Sequence, residues 1–154
     1  MIDISKHITM SEACRSSYAA KHKIINLPGV SEIQNMQYLA QTVFEPLRSH
    51  YDNEPIIINS FYRGTKLNAA IGGASNSQHV SGQAFDLELT AEQFHYIREN
   101  LPFDQLIWEG GDDNQPAWVH VSLTRGVNRY QVLKAKKNSA GKMVYTDITK
   151  TFKK

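Results

Sequence analysis

The chain has 154 residues, 41% of them hydrophobic and 21% charged, with a formal net charge of +2. That length suits one compact domain with its own core. The balance excludes a disordered or fibrous chain, and the small net charge excludes a strong whole-molecule field. One cysteine, Cys14, excludes an intramolecular disulfide framework, and no apolar run approaches the ~20 residues that a bilayer span needs.

The N-terminus, Met1 to Ile8, lacks the apolar centre of a signal peptide. The expectation is synthesis in the cytoplasm, with any action outside depending on release or delivery by another route. Thr9-Met-Ser-Glu12 reads as a capping box that opens a helix over roughly 10–20, broken by Asn26-Leu-Pro-Gly29. Ser31-Glu-Ile-Gln34 reads as a second box. After it Ile33, Met36, Leu39, Ala40, Val43, Phe44 and Leu47 recur at helical spacing, and Pro46 is expected to kink or close the helix. Pro55 to Ser60 predicts a short buried strand, and Thr65 to Ile71 a helix stopped by Gly72-Gly73.

Gln83 to Leu89 alternates, with Phe85, Leu87 and Leu89 on one face and Ala84, Asp86 and Glu88 on the other. Thr90-Ala-Glu-Gln93 opens a helix to about Asn100. Asp104 to Trp108 predicts a strand. Trp118 to Leu123 predicts another, with Trp118, His120 and Ser122 on its polar face. Arg129 to Lys136 and Lys142 to Ile148 predict a hairpin around Asn138-Ser-Ala-Gly141. This order predicts an α+β domain, a small antiparallel sheet with helices on one side. It has a helical part over about 1–50, a site-bearing sheet over about 55–125 and a hairpin over about 129–148.

The chemistry concentrates in Ser77-Gln-His-Val-Ser-Gly-Gln-Ala-Phe-Asp86 and Trp118-Val-His-Val-Ser122. If the two strands pair, Asp86 and His120 point into one cleft. His79 enters from the preceding loop, where Gly82 supplies conformational freedom. Two imidazoles and a carboxylate form a three-ligand set for a divalent metal, zinc first among candidates, because structural zinc sites close with four ligands and catalytic ones keep a position for water. Each residue also has a plainer reading, His79 and His120 as hydrogen-bonded or exposed histidines and Asp86 as a strand-end carboxylate. His7, His22, His50 and His95 have no such company and read as surface residues.

The wording around these residues is more specific than their spacing. Ser60-Phe-Tyr-Arg63, Leu67-Asn68, Gly72-Gly73, Ser77-Gln-His79, Gly82-Gln-Ala-Phe-Asp86 and Trp118-Val-His-Val-Ser122 resemble, in order, the zinc D-Ala-D-Ala carboxypeptidase family. Its relatives include vancomycin-resistance dipeptidases, phage L-alanyl-D-glutamate endolysins and the Hedgehog signalling domain. The chain is most similar to the short single-domain members found in phages and prophages. The resemblance implies a Hedgehog-like peptidase fold and one zinc per chain, held by His79, Asp86 and His120. It also implies cleavage of a peptide bond in peptidoglycan, either as a carboxypeptidase or as an L-Ala-D-Glu type endopeptidase. Arg63 then falls where the family binds a substrate carboxylate, which suits the bidentate guanidinium. Ser77 would help orient substrate or cap its loop.

One position departs from the pattern. Many relatives carry the general base three residues before the second histidine ligand, where this chain has Ala117. Glu109 is the favoured replacement, because it ends the apolar run Phe103 to Trp108 and a strand can aim it at the cleft. Asp112, Asp113 and Glu88 are the other candidates. The loss at Ala117 also leaves a rival reading, a zinc-containing module that binds a cell-wall peptide or a protein partner without cutting it. The lysines Lys134, Lys136, Lys137, Lys142, Lys150, Lys153 and Lys154 read as a solvated hairpin and tail, or as an aid in staying near an anionic wall. They do not read as a nucleic-acid site. A monomer with no membrane span is expected.

Overall fold

The computed structural model describes residues 3–150; the expectations for Met1, Lys153 and Lys154 lie outside them. The helix expected over 10–20 is two short ones, α1 (Met10–Ala13) and α2 (Ser17–Lys21). Thr9 caps the first, as expected. Ser16 is extended and accepts the amide of Ala19 at 3.1 Å, so a second local cap interrupts the run.

The long amphipathic helix starts two residues earlier than its expected capping box. It begins at α3 (Val30–Leu39) after Gly29, whose amide donates to the Glu32 carboxylate at 2.8 Å. Pro46 does not end it. A π-helical turn over Ala40–Phe44 leads straight into α4 (Glu45–His50), with the proline in its first turn. A widened turn is a known way to absorb the missing amide and the ring's clash with the residue four back.

β1 (Ile58–Ser60) is shorter than the expected strand, and α5 (Thr65–Ala70), β2 (Ala84–Leu87) and α6 (Ala91–Asn100) follow. The box that opens α6 forms as expected: Thr90 Oγ1 accepts the Gln93 amide at 3.1 Å and Gln93 Oε1 accepts the Thr90 amide at 2.8 Å. Then come β3 (Gln105–Glu109), β4 (Trp118–Ser122), β5 (Gln131–Lys137) and β6 (Met143–Asp147). They form one six-stranded sheet of order β1-β2-β4-β3-β5-β6. The expected antiparallel sheet is mixed, because β5 runs parallel to β3 while the other pairs are antiparallel. β4 runs back along β3 and ends beside its start, where the Asp104 amide donates to the Ser122 carbonyl at 2.7 Å, so the short connection to the other edge of β3 begins β5 at that same end and in the same direction.

Alternation along the strands divides the sheet into two faces. Phe85, Leu87, Leu106, Trp108, Val119, Val121 and Val132 are buried with Leu39, Val43, Phe44, Leu47, Phe94 and Ile97 of the helices. Phe85 meets Phe61 edge-on at 5.0 Å between centroids, and Phe94 meets Trp108 at 5.2 Å. Each such side chain contributes about 1.5–3 kcal/mol by leaving water. The helices thus cover one face, and the opposite face of β2, β4, β3, β5 and β6 floors a cleft. No helix of the described residues is long and apolar enough to cross a membrane.

Candidate active site

β2 and β4 pair with Asp86 directly opposite His120, so one register fixes two of the three expected ligands. Asp86 Oδ1 lies 3.0 Å from His120 Nδ1, and Asp86 Oδ2 lies 3.3 Å from His79 Nε2. One ligand atom from each of His79, Asp86 and His120 falls within 4.8 Å of the others.

His79 is carried by a loop held at several points. Its amide donates to Ser77 Oγ at 3.2 Å, and its carbonyl accepts from Arg63 N at 3.1 Å. Asn35 donates to the Ser81 carbonyl at 2.9 Å, tying the loop to α3. Gly82 is needed there on two counts. Its φ is +75°, and a Cβ would sit 2.6 Å from the Glu32 carbonyl oxygen. Before His79, Gln78 Nε2 donates to Asp104 Oδ2 at 3.0 Å, and the same carboxylate takes Arg129 Nε at 3.1 Å and Arg129 Nη2 at 2.7 Å.

The donor set fits a cation. His79 Nδ1 is 2.8 Å from the Phe61 carbonyl, which can only accept, so Nδ1 carries the hydrogen and Nε2 turns its lone pair to Asp86. A lone pair facing a carboxylate oxygen is favourable only with a proton or a cation between them. Burial alone would raise the pKa of Asp86. Its contacts with His120 and His79 outweigh that and hold the carboxyl far below its ordinary range, in the ionised form a metal requires. The Phe61 carbonyl behind His79 is the orienting partner typical of metal-binding histidines.

Glu109 lies on the same face as His120, two residues along β3 from Ile107, which pairs with His120. It is only 8% exposed and lines the cleft of about 640 Å³ that contains the three clustered residues, Arg63 and Ser77. Burial pushes its pKa up; the charge of His120 opposes this and that of Asp86 adds to it, with the result at about 7. The other carboxylates considered stand elsewhere. Glu88 is exposed. Asp112 accepts the amides of Asn114 and Gln115 in its own loop, and Asp113 pairs with Lys134 and Lys136; both line a neighbouring hollow. Two of the lysines expected to be solvated, Lys134 and Lys136, are therefore paired with the loop that follows β3, although such exposed pairs stabilise little.

Arg63 is half-buried. Its Nη2 donates to Ser77 Oγ at 3.2 Å, while its Nε is buried without a hydrogen-bond partner. Burial lowers its pKa and Asp86 counteracts this. A guanidinium lining a cleft wall suits an incoming carboxylate. Ser77 takes hydrogen bonds from both Arg63 and the His79 amide, so its capping role is plain. His7, His22, His50 and His95 stand apart from the cluster.

Three contributors were not apparent in the sequence. They are the Phe61 carbonyl, the Asp104–Arg129 pair that anchors the loop before His79, and Tyr145, which lines the cleft from β6. Only Tyr145 left a signal, through the alternation of its strand.

No curated protein matches the chain. A family model described as Peptidase M15 matches residues 6–122, from the first helices through the strand that carries His120. The match covers most of the chain and all of His79, Asp86 and His120, and the chain therefore belongs to the M15 family of zinc peptidases.

Proposed function

We propose that this protein is a zinc peptidase acting on peptidoglycan peptides, with one zinc held by His79, Asp86 and His120 and with Glu109 as the general base. The observation that carries this reading is the convergence of Glu109 with the three clustered residues on one sheet face, in one cleft. Zinc in such a set supplies Lewis acidity toward a carbonyl and acidifies water.

The chain's own residues do the rest. Ionised Glu109 takes a proton from the attacking water and returns it to the leaving amine, and a carboxyl poised near 7 suits both transfers near neutral pH. Arg63 holds a substrate carboxylate and fixes the peptide against the floor. Peptidoglycan stems present such carboxylates, and the motifs resemble those of enzymes that cut them, whether as carboxypeptidases or as L-Ala-D-Glu endopeptidases. The short phage and prophage members offer a model for delivery, in which the protein reaches the wall after release from the cell.

The test pairs zinc stoichiometry with mass spectrometry of muropeptides after incubation with sacculi. One zinc per chain with new peptide products supports the hydrolase and identifies the bond. One zinc with an unchanged digest favours a binding module, and absence of zinc removes the ligand assignment.

A further inference from the structure

β6 is the edge strand of the sheet, and its alternation sends Met143 and Tyr145 to the cleft. Register places Tyr145 beside Ala135, Ala135 beside Glu109, and Glu109 beside Trp118, in one row across β6, β5, β3 and β4. Two inter-strand spacings, about 10 Å, separate the backbones of Tyr145 and Glu109. The residue between them is an alanine, fully buried, whose side chain is too small to stand between a phenol on one side and a carboxyl on the other.

Tyr145 has no hydrogen bond from its hydroxyl among the described residues; the residue is 52% exposed and lines the cleft. An aromatic whose only role was to close the sheet edge would pack on the helical face, as Phe85 and Trp108 do. Burial, Glu109 and Asp86 all push its pKa up, so the hydroxyl stays a donor across the neutral range. Of the two arginines that line the cleft, Arg129 is paired with Asp104, and Arg63 stands on the wall beside Ser77, toward the edge opposite β6.

Building on the hydrolase reading above, we propose that Tyr145 is a further catalytic residue, its hydroxyl donating a hydrogen bond to the scissile carbonyl oxygen as that oxygen gains charge. Water oxygen bonds to the carbonyl carbon, and the carbonyl π pair moves to its oxygen. Glu109 takes the water proton. The carbon–nitrogen bond then breaks, the amine leaves with that proton, and Tyr145 keeps its own throughout. A preorganised donor of this kind acts where charge develops, so its loss appears in turnover and not in ground-state binding.

The experiment uses the zinc-loaded full chain, with muropeptides freed from sacculi by a muramidase. Tyr145→Phe, which removes one oxygen from a half-exposed ring, is compared with wild type and with Tyr145→Ala for kcat, KM, zinc content, melting temperature and the pH profile of kcat. The expected result for Tyr145→Phe is a fall in kcat of about 100-fold. KM stays within about twofold, and one zinc, the melting temperature and the acidic limb of the profile are unchanged. Wild-type kcat in Tyr145→Phe overturns the proposal. So does a loss confined to KM and shared with Tyr145→Ala, which makes the ring a binding wall, or a shifted acidic limb, which makes the residue act through Glu109. A wild-type chain that binds zinc but cuts no wall peptide overturns the hydrolase reading itself, and this proposal with it.

Discussion

The amide of Ala117 donates to the carbonyl of Glu109 at 2.9 Å. The position where many relatives carry their base, just before β4, and the carboxylate proposed to replace it, at the end of β3, therefore lie side by side. Loss of a carboxylate at one has a neighbour able to supply it from the other. Glu109→Gln is expected to keep zinc and fold while turnover falls at least ~100-fold, the low end for loss of a general base. Steady-state kinetics with metal analysis checks this, and near-normal turnover would send the search to Asp112, Asp113 or Glu88.

His120→Ala removes one proposed ligand and one of the two contacts that keep the Asp86 carboxylate ionised. The expected outcome is zinc content falling from one per chain to near zero, with activity abolished. Dialysis against limiting zinc followed by atomic emission reads it out. Full activity at sub-stoichiometric metal would contradict the ligand assignment.

Glu109 also gives the metal-free protein a pH signature. Its carboxyl is raised to about 7 from an ordinary 4.5, chiefly by burial. The folded state then holds this proton more tightly than the unfolded state does. Stability therefore falls as pH rises between those values and levels off above about 7, by no more than about 3 kcal/mol. Glu109→Gln removes that component. Melting curves of both metal-free proteins at about pH 5 and pH 8 test the sign; parallel curves would mean that Glu109 titrates as an ordinary glutamate.

Asp104 is 4% exposed and takes hydrogen bonds from Gln78 and Arg129 together. Asp104→Ala is expected to cost about 1–3 kcal/mol, discounted because Arg129 is 56% exposed on its side chain. A chain of this length then melts about 2–10 °C lower. Because Gln78 adjoins His79, zinc affinity should fall as well. Unchanged zinc affinity would show that the His79 loop holds its shape without this anchor.

Gly82→Ala tests the close approach of that loop to α3. A positive φ and a Cβ at 2.6 Å from the Glu32 carbonyl predict a loss of about 2 kcal/mol or more, with weaker zinc binding. Chemical denaturation in the metal-free state separates the stability cost from the metal contribution. A variant as stable as wild type would mean that the helix can yield by several tenths of an ångström.

The readable parts of this fold were those written by local rules. The Thr90–Gln93 box, the alternation of β2 and β4, and the hairpin of β5 and β6 each depend on neighbours in sequence. The misread parts depended on competition between signals. Ser16 offered a second cap inside what reads as one helix, and a π turn carried the long helix past Pro46. The parallel pairing of β3 with β5 was illegible because no local pattern records which edge of a strand is still open.

The same division holds for the candidate site. By itself the sequence determined, by strand alternation, that Asp86 and His120 sit on polar strand faces, and the resemblance of its motif pointed to His79 beside them; the β2–β4 pairing that brings the three together belongs to the tertiary structure. Only the tertiary structure decided what surrounds them. The β3–β4 register set Glu109 rather than Asp112 or Asp113 in the cleft, where it is buried enough to lift its pKa. The parallel pairing of β5 with β3, and the hairpin to β6, carried Tyr145 to within two strands of Glu109. Such cross-strand neighbours are set by which edges remain to be paired after the helices cover one face, a property of the assembled sheet and not of any segment within it.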